Sequence, residues 1–246
     1  MVRLFLIHGW LSNHQAMQPV ADALADYCCQ VVDLNGHVDG EIYDPEKPDD
    51  VYDVVGHARS LVDLLQSDTV IIGHSMGAQI AIELALLAPE KVRGLILLDP
   101  APIIYTEATR KLFEGMQRDL NRIEQKDFAR YVRSLPALQP LHGGHDGQFD
   151  ALYQVAERTA IGLAREEIAA MCAWDGAPRL AALRVPTLVV LIEAAVNRAQ
   201  DLRRANSFLT TAQVAMSGHM LQFEVLDQVE TMIRRYLNIH FQQKQF

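Results

Sequence analysis

The sequence predicts an α/β fold: a doubly wound, mostly parallel sheet of about six strands, carrying an α-helical insertion. Three observations lead there. Short apolar runs without polar alternation recur along the 246 residues, as strands buried on both faces require. Helical patterns separate those runs, which argues for parallel strands joined by crossover helices. One long interval, 103–183, has helical pattern and no convincing strand, too long for a single crossover.

The runs, in order, are Leu4–Ile7, Gln30–Leu34, Thr69–Ile72, Leu95–Leu98, Thr187–Ile192 and Thr211–Met216. Helical periodicity falls at 14–27, 51–66, 76–88 and 225–238, with further stretches at 106–134 and 148–173 inside the long interval. The expected division is therefore a core of 1–102 and 184–246, with 103–183 as a helical cap. The acidic segment DGEIYDPEKPDD at 39–50 holds two prolines and reads as a surface loop, and the tail FQQKQF should fray.

Composition narrows the function. Apolar residues make up 50% of the chain, enough for a buried core. With 22 Lys and Arg against 31 Asp and Glu the net charge is −9, which argues against a nucleic-acid partner. Three cysteines, two of them adjacent, make no disulfide framework. No apolar run reaches membrane-spanning length, and residues 2–7 are too short for a secretory leader. The expectation is a soluble, cytoplasmic protein acting on a small molecule, with no membrane partner. Its oligomeric state is not legible.

The chemistry is carried by three motifs. Gly73-His74-Ser75-Met76-Gly77 follows the run TVII and precedes the helical stretch AQIAIELALLA. A G-x-S-x-G in that setting makes a sharp strand-to-helix turn that exposes a nucleophilic Ser75 at a helix N-terminus. His8-Gly9-Trp10 follows the first strand, so the amide of Trp10, with that of Met76, can form a two-donor oxyanion hole. Trp10 also lines the pocket or is a buried aromatic, and His8 reads as a brace for its loop. Ser217-Gly218-His219-Met220 follows the last strand, where a histidine is free to reach the serine as general base.

These motifs, with DLNGH at 33–37, LILLDPAP at 95–102 and PTLVV at 186–190, resemble the α/β-hydrolase fold superfamily over nearly the whole chain. The resemblance implies a sheet trimmed at its N-terminal edge, with 103–183 in the place of the family's cap. It also implies a departure. The family's acid usually follows the strand read here as PTLVVLI, and Ala195 holds that position. Asp99, at the end of the preceding strand, is the first substitute and Glu193 the second; with neither, a serine–histidine dyad remains.

The resemblance implies a serine hydrolase that cleaves a small apolar ester or thioester through an acyl-enzyme on Ser75 and needs no cofactor. The alternative within the same family is a cofactor-independent dioxygenase of a heteroaromatic substrate, with the His219/Asp99 pair as base and His14 beside Trp10. A binding protein without catalysis is a third reading, which the intact serine and histidine disfavour. His14, His74 and Trp174 are candidate pocket residues. Tyr105, Phe113, Phe128, Tyr131, Phe149 and Tyr153 are expected mostly to pack the cap on itself. His142, His145 and Asp146 have a spacing that suits a metal, but no further ligands cluster there, and no metal site is expected.

Overall fold

Each predicted run forms a strand, and the six strands join in one sheet. The computed structural model describes residues 2–37, 43–48, 51–141 and 147–241. The strands are β1 (Arg3–Ile7), β2 (Cys28–Val32), β3 (Thr69–His74), β4 (Val92–Leu98), β5 (Thr187–Leu191) and β6 (Leu209–Gln213). Their order is β2-β1-β3-β4-β5-β6 and every pairing is parallel.

Parallel strands need crossovers on the sheet faces, so the inner strands are sealed on both sides. Every residue of β3 and β5 is buried, which is why they read TVIIGH and TLVVL. The edge strands β2 and β6 are partly exposed. Both begin two residues earlier than the apolar runs suggested. Their first residues pair through the backbone, as in Arg3 with Cys28 and Thr187 with Leu209.

The two faces carry separate cores. Leu4 and Leu6 of β1 pack with Val20 and Ala21 of α1 (Gln18–Ala23) and with Val229 and Ile233 of α11 (Leu226–His240). Phe5 and Ile7 point the other way, toward α2 (Val54–Leu61) and α3 (Met76–Leu87). That alternation is the period-two geometry of a strand covered on both faces.

Between β4 and β5 lie α4 (Glu107–Arg122), α5 (Gln125–Ser134), α6 (Gln148–Arg158), α7 (Ile161–Ala173) and α8 (Gly176–Ala182), with no strand among the described residues. The expected stretches 106–134 and 148–173 each divide in two, because Ile123–Glu124 and Thr159–Ala160 are extended. The helix α8 is additional. Phe128, Phe149 and Tyr153 are buried here, and the Tyr105, Tyr131 and Tyr153 hydroxyls donate to carbonyls of Met171, Met116 and Leu138 within the insert. The aromatics pack the insert on itself, as expected. His142, His145 and Asp146, together with most of the tail, lie outside the described residues. Helices α9 (Ala199–Ala205) and α10 (Leu221–Glu224) complete the chain. Among the described residues no helix is long and apolar enough to cross a membrane.

From β1 the chain moves to the β2 edge, then returns past β1 to β3 and continues outward to β6. The sheet therefore reverses direction between β1 and β3, and such switch points open a crevice at the carboxyl ends of the strands. The loops after β1 and β3 are those of Trp10 and Ser75.

Packing across this switch leaves no room for a side chain at Gly77, where a Cβ would stand 2.5 Å from the Ile7 carbonyl oxygen. Gly77→Ala is expected to destabilise the fold by about 3 kcal/mol, the upper end for overpacking. Chemical denaturation would measure it, and a loss below about 1 kcal/mol would mean that the contact relaxes freely.

Candidate active site

One residue, Ser75, links β3 to α3, at φ 55 and ψ −118. Such a backbone is costly for any residue with a Cβ and persists where the surroundings enforce it. Here three hydrogen bonds do so. The Ser75 N–H donates to Leu98 O at 3.1 Å, and Ser75 O accepts from the N–H groups of Ala78 and Ala101, both at 3.1 Å. The turn closes because Gly73 lies against Gly77, where a Cβ would meet the Gly77 carbonyl carbon at 2.6 Å. The Ser75 side chain is half-buried.

Asp99 follows β4, the neighbour of β3, and its N–H donates to Val190 O at 2.8 Å. It too has positive φ, at 34. Its carboxylate is buried, and Oδ2 lies 2.6 Å from Nδ1 of His219. Glu193 goes elsewhere: its Oε1 accepts from the N–H of Met216 at 3.4 Å, at the start of the loop that carries His219. Of the two substitute acids, Asp99 is the one the fold brings to the histidine.

The His219 loop has other anchors. Glu224 accepts from the Gly218 N–H through Oε1 at 3.0 Å and from the Leu141 N–H through Oε2 at 2.8 Å, tying the loop to the insert. His74 donates from Nε2 to the His219 carbonyl at 2.9 Å, and the two rings are 4.7 Å apart. Burial and, next, the nearby His219 hold the His74 imidazole down to about 3, so it stays neutral. His74 was expected as a pocket residue. It is instead buried against His219, and its Nε2–H is spent on a backbone carbonyl.

On the other side of Ser75, a Cβ at Gly9 would meet Ser75 Cβ at 2.9 Å, so only glycine lets the loop after β1 come this close. Leu11, at φ 55, completes the turn. The loop is braced by His8, whose Nδ1 donates to Gly9 O at 2.8 Å while Nε2 accepts from the Leu34 N–H at 3.1 Å. Burial keeps that ring neutral, as an acceptor nitrogen must be. Met76 is the first residue of α3, so its amide is one of the four that a helix leaves without an internal partner. The Trp10 indole donates to Ala164 O of α7 at 3.1 Å, joining this loop to the insert.

The remaining candidates are paired with other side chains. His14 pairs with Asp33, Nδ1 to Oδ2 at 2.9 Å. The Trp174 indole donates to Glu83 of α3 at 2.6 Å, and Arg179 also bonds that carboxylate. Two clefts, of about 490 and 230 Å³, lie along α1, one beside His14 and Asp33 and the other reaching Leu152 and Phe223. Neither is lined by Ser75, Asp99 or His219. Among the described residues no group of His, Cys, Asp and Glu is arranged to hold a metal.

Sequence reading missed a buried polar cluster. Glu167 of α7 is fully buried, 2.8 Å from His37 Nε2 and 3.1 Å from His57 Nε2. Burial opposes a charge on either partner, yet their attraction outweighs it: the His37 pKa is raised and that of Glu167 lowered. A signal was present, since Glu167 stands on the stripe Leu163, Ala164, Ile168, Met171 that faces inward.

A family model described as the alpha/beta hydrolase family matches residues 4–231. The chain belongs to the α/β-hydrolase family. Pimeloyl-[acyl-carrier protein] methyl ester esterase of Neisseria meningitidis is 28% identical over 145 residues, 57% of this chain and 54% of that relative. A 2-(acetamidomethylene)succinate hydrolase of Mesorhizobium japonicum is 26% identical over 161 residues, 57% of this chain and 56% of that relative. The chain thus spans about half the length of the curated relatives it matches. MenH from S. aureus superimposes with a TM-score of 0.80 at 21% identity, covering 98% of this chain and 95% of that one. An esterase from Exiguobacterium antarcticum also reaches 0.80, at 16% identity, covering 97% and 92%. These two share the fold.

The 2.6 Å contact separates the two carboxylates by experiment. Asp99→Asn is expected to lower ester turnover about 10⁴-fold, as loss of the orienting charge does in a triad. Glu193→Gln should stay within about threefold of the wild type, because Glu193 steadies a loop through one long hydrogen bond. Steady-state kcat for each variant checks the pair, and the reverse ranking would transfer the role to Glu193.

Proposed function

We propose that this hydrolase cleaves a small apolar carboxylic ester or thioester through an acyl-enzyme on Ser75. The observation that carries the reading is the His219 Nδ1 to Asp99 Oδ2 contact beside a strained serine turn. With Nδ1–H committed to Asp99, Nε2 of His219 is the nitrogen left to take a proton.

Ser75 Oγ attacks the carbonyl carbon as its proton passes to His219 Nε2. Negative charge gathers on the carbonyl oxygen, where the N–H groups of Trp10 and Met76 donate; each such donor lowers the barrier by about 3 kcal/mol. Protonated His219 then gives its proton to the departing alcohol or thiol. Asp99 holds the imidazole in place and balances its positive charge. Water, activated by the same histidine, cleaves the acyl-enzyme and restores Ser75.

The insert serves as a cap, with the expected division of a core at 1–102 and 184–246 and a cap at 103–183. Support comes from its three ties to the site's loops: Ala164 to Trp10, Glu167 to His37, and Leu141 to Glu224. The relatives support the ester class, since two of those described are esterases. The dioxygenase alternative uses the same His219 and Asp99 as base, with His14 beside Trp10, and His14 is paired with Asp33.

Wild type and Ser75→Ala should be compared on p-nitrophenyl esters from acetate to octanoate and on a short acyl thioester. The wild type is expected to favour short chains. Ser75→Ala should lose at least about 10⁴-fold in kcat with unchanged thermal unfolding. Turnover of any ester by Ser75→Ala near the wild-type rate would exclude the covalent route. Oxygen uptake with a heteroaromatic substrate that survives Ser75→Ala would favour the dioxygenase.

A further inference from the structure

We propose that His74 is a positioning residue that fastens the base to the strand carrying the nucleophile, by donating a hydrogen bond to the His219 carbonyl and packing its ring against that of His219. The proposal rests on the reading of Ser75 and His219 as nucleophile and base.

Three independent anchors hold His219. Asp99 takes its side chain, and Glu224 takes the N–H of the preceding Gly218. Both anchors stand on other elements, Asp99 after β4 and Glu224 in α10. Only His74 belongs to β3 itself, one residue before Ser75. The backbone that fixes Ser75 therefore also fixes the donor that sets His219. Movement of the His219 loop relative to the nucleophile must stretch the 2.9 Å bond or separate rings whose centroids are 4.7 Å apart.

The chemistry of the pair agrees. A carbonyl only accepts, so His74 must carry its proton on Nε2. Its Nδ1 is then a lone pair, buried and without a hydrogen-bond partner among the described residues. Leaving a buried acceptor unpaired costs about 1–3 kcal/mol. A side chain kept merely to fill this space would be apolar. The neutral ring also matters, because a cation 4.7 Å from His219 would oppose the imidazolium that forms during catalysis. Among the described residues, the titratable groups in contact with this pair are each other and Asp99.

His74→Phe keeps a ring and removes the donor, whereas His74→Gln places an amide N–H near the Nε2 position. Misplacing a reacting group by about 1 Å costs about 100-fold. His74→Phe is therefore expected to lower ester kcat by about 10- to 100-fold with KM within twofold, and His74→Gln to recover most of that loss. Wild-type kcat in His74→Phe, or no recovery in His74→Gln when both variants fold, would overturn the proposal. Nitrogen NMR of the wild type needs no variant: His74 should remain the neutral Nε2–H tautomer from pH 5 to 8. An Nδ1–H tautomer, or a His74 that titrates in that range, would also overturn it.

If the wild type shows no Ser75-dependent ester hydrolysis, the functional reading fails on its own. The positioning claim is then decided by the low-field Nδ1–H resonance of His219 in its bond to Asp99. That resonance should shift or broaden in His74→Phe and return in His74→Gln, and an unchanged resonance in both would refute the claim.

Discussion

The structure depends on a reversal made in one residue. Strand β3 must end and α3 begin at Ser75, with no loop between them, and only direct backbone contact between Gly73 and Gly77 permits it. The same close approach presses the start of α3 onto the carbonyls of Ile7 and His8, fixing β1 against β3 at the switch point of the sheet. Strain is therefore concentrated at one end of the molecule. Of the five non-glycine residues with positive φ among the described residues, four (Leu11, Ser75, Asp99 and Met216) follow the carboxyl ends of β1, β3, β4 and β6. Strain that collects at one site, on a rigid buried sheet, is what preorganised catalysis requires.

Around that end, polar contacts bind the insert to the core. The fully buried Glu167 is the most consequential, since an ionised carboxylate without partners would be intolerable in an apolar interior. Its two histidines stand on the loop after β2 and on α2, so a single carboxylate of α7 joins three parts of the chain. Removing one partner from such a buried pair costs about 3–5 kcal/mol in other proteins. Apolar residues of similar volume could stabilise the interface as well, so the polar cluster is better read as specifying how the insert docks. Docking matters because the same helix accepts the Trp10 indole bond and so bears on the loop beside Ser75.

What was legible in the sequence follows from how local each feature is. The turn at Ser75 is encoded in five consecutive residues between a strand pattern and a helix pattern, so it could be read directly. The pairing of Asp99 with His219 joins residues 120 apart, and the vacancy at Ala195 left two acids open. Sheet order decides between them: β4 lies beside β3, and Glu193 lies beyond β5 and turns to Met216. The cluster of Glu167 with His37 and His57 spans 130 and 110 residues, and in the run AREEIAA its glutamates look alike. One of them, Glu166, meets the Tyr43 hydroxyl at the surface of the insert, while its neighbour is buried. His74 was visible as a motif position, but its partner is a backbone carbonyl, which side-chain identity does not encode.

In the proposed mechanism Ser75 is a nucleophile activated by the His219–Asp99 pair. The most direct test is the intact mass of the protein after brief exposure to a fluorophosphonate, which reacts with activated serines whatever the natural substrate. A single adduct on Ser75 is expected, absent from Ser75→Ala and formed far more slowly in Asp99→Asn. A folded wild-type protein that takes up no adduct, or takes it up at another residue, would rule out Ser75 as an activated nucleophile.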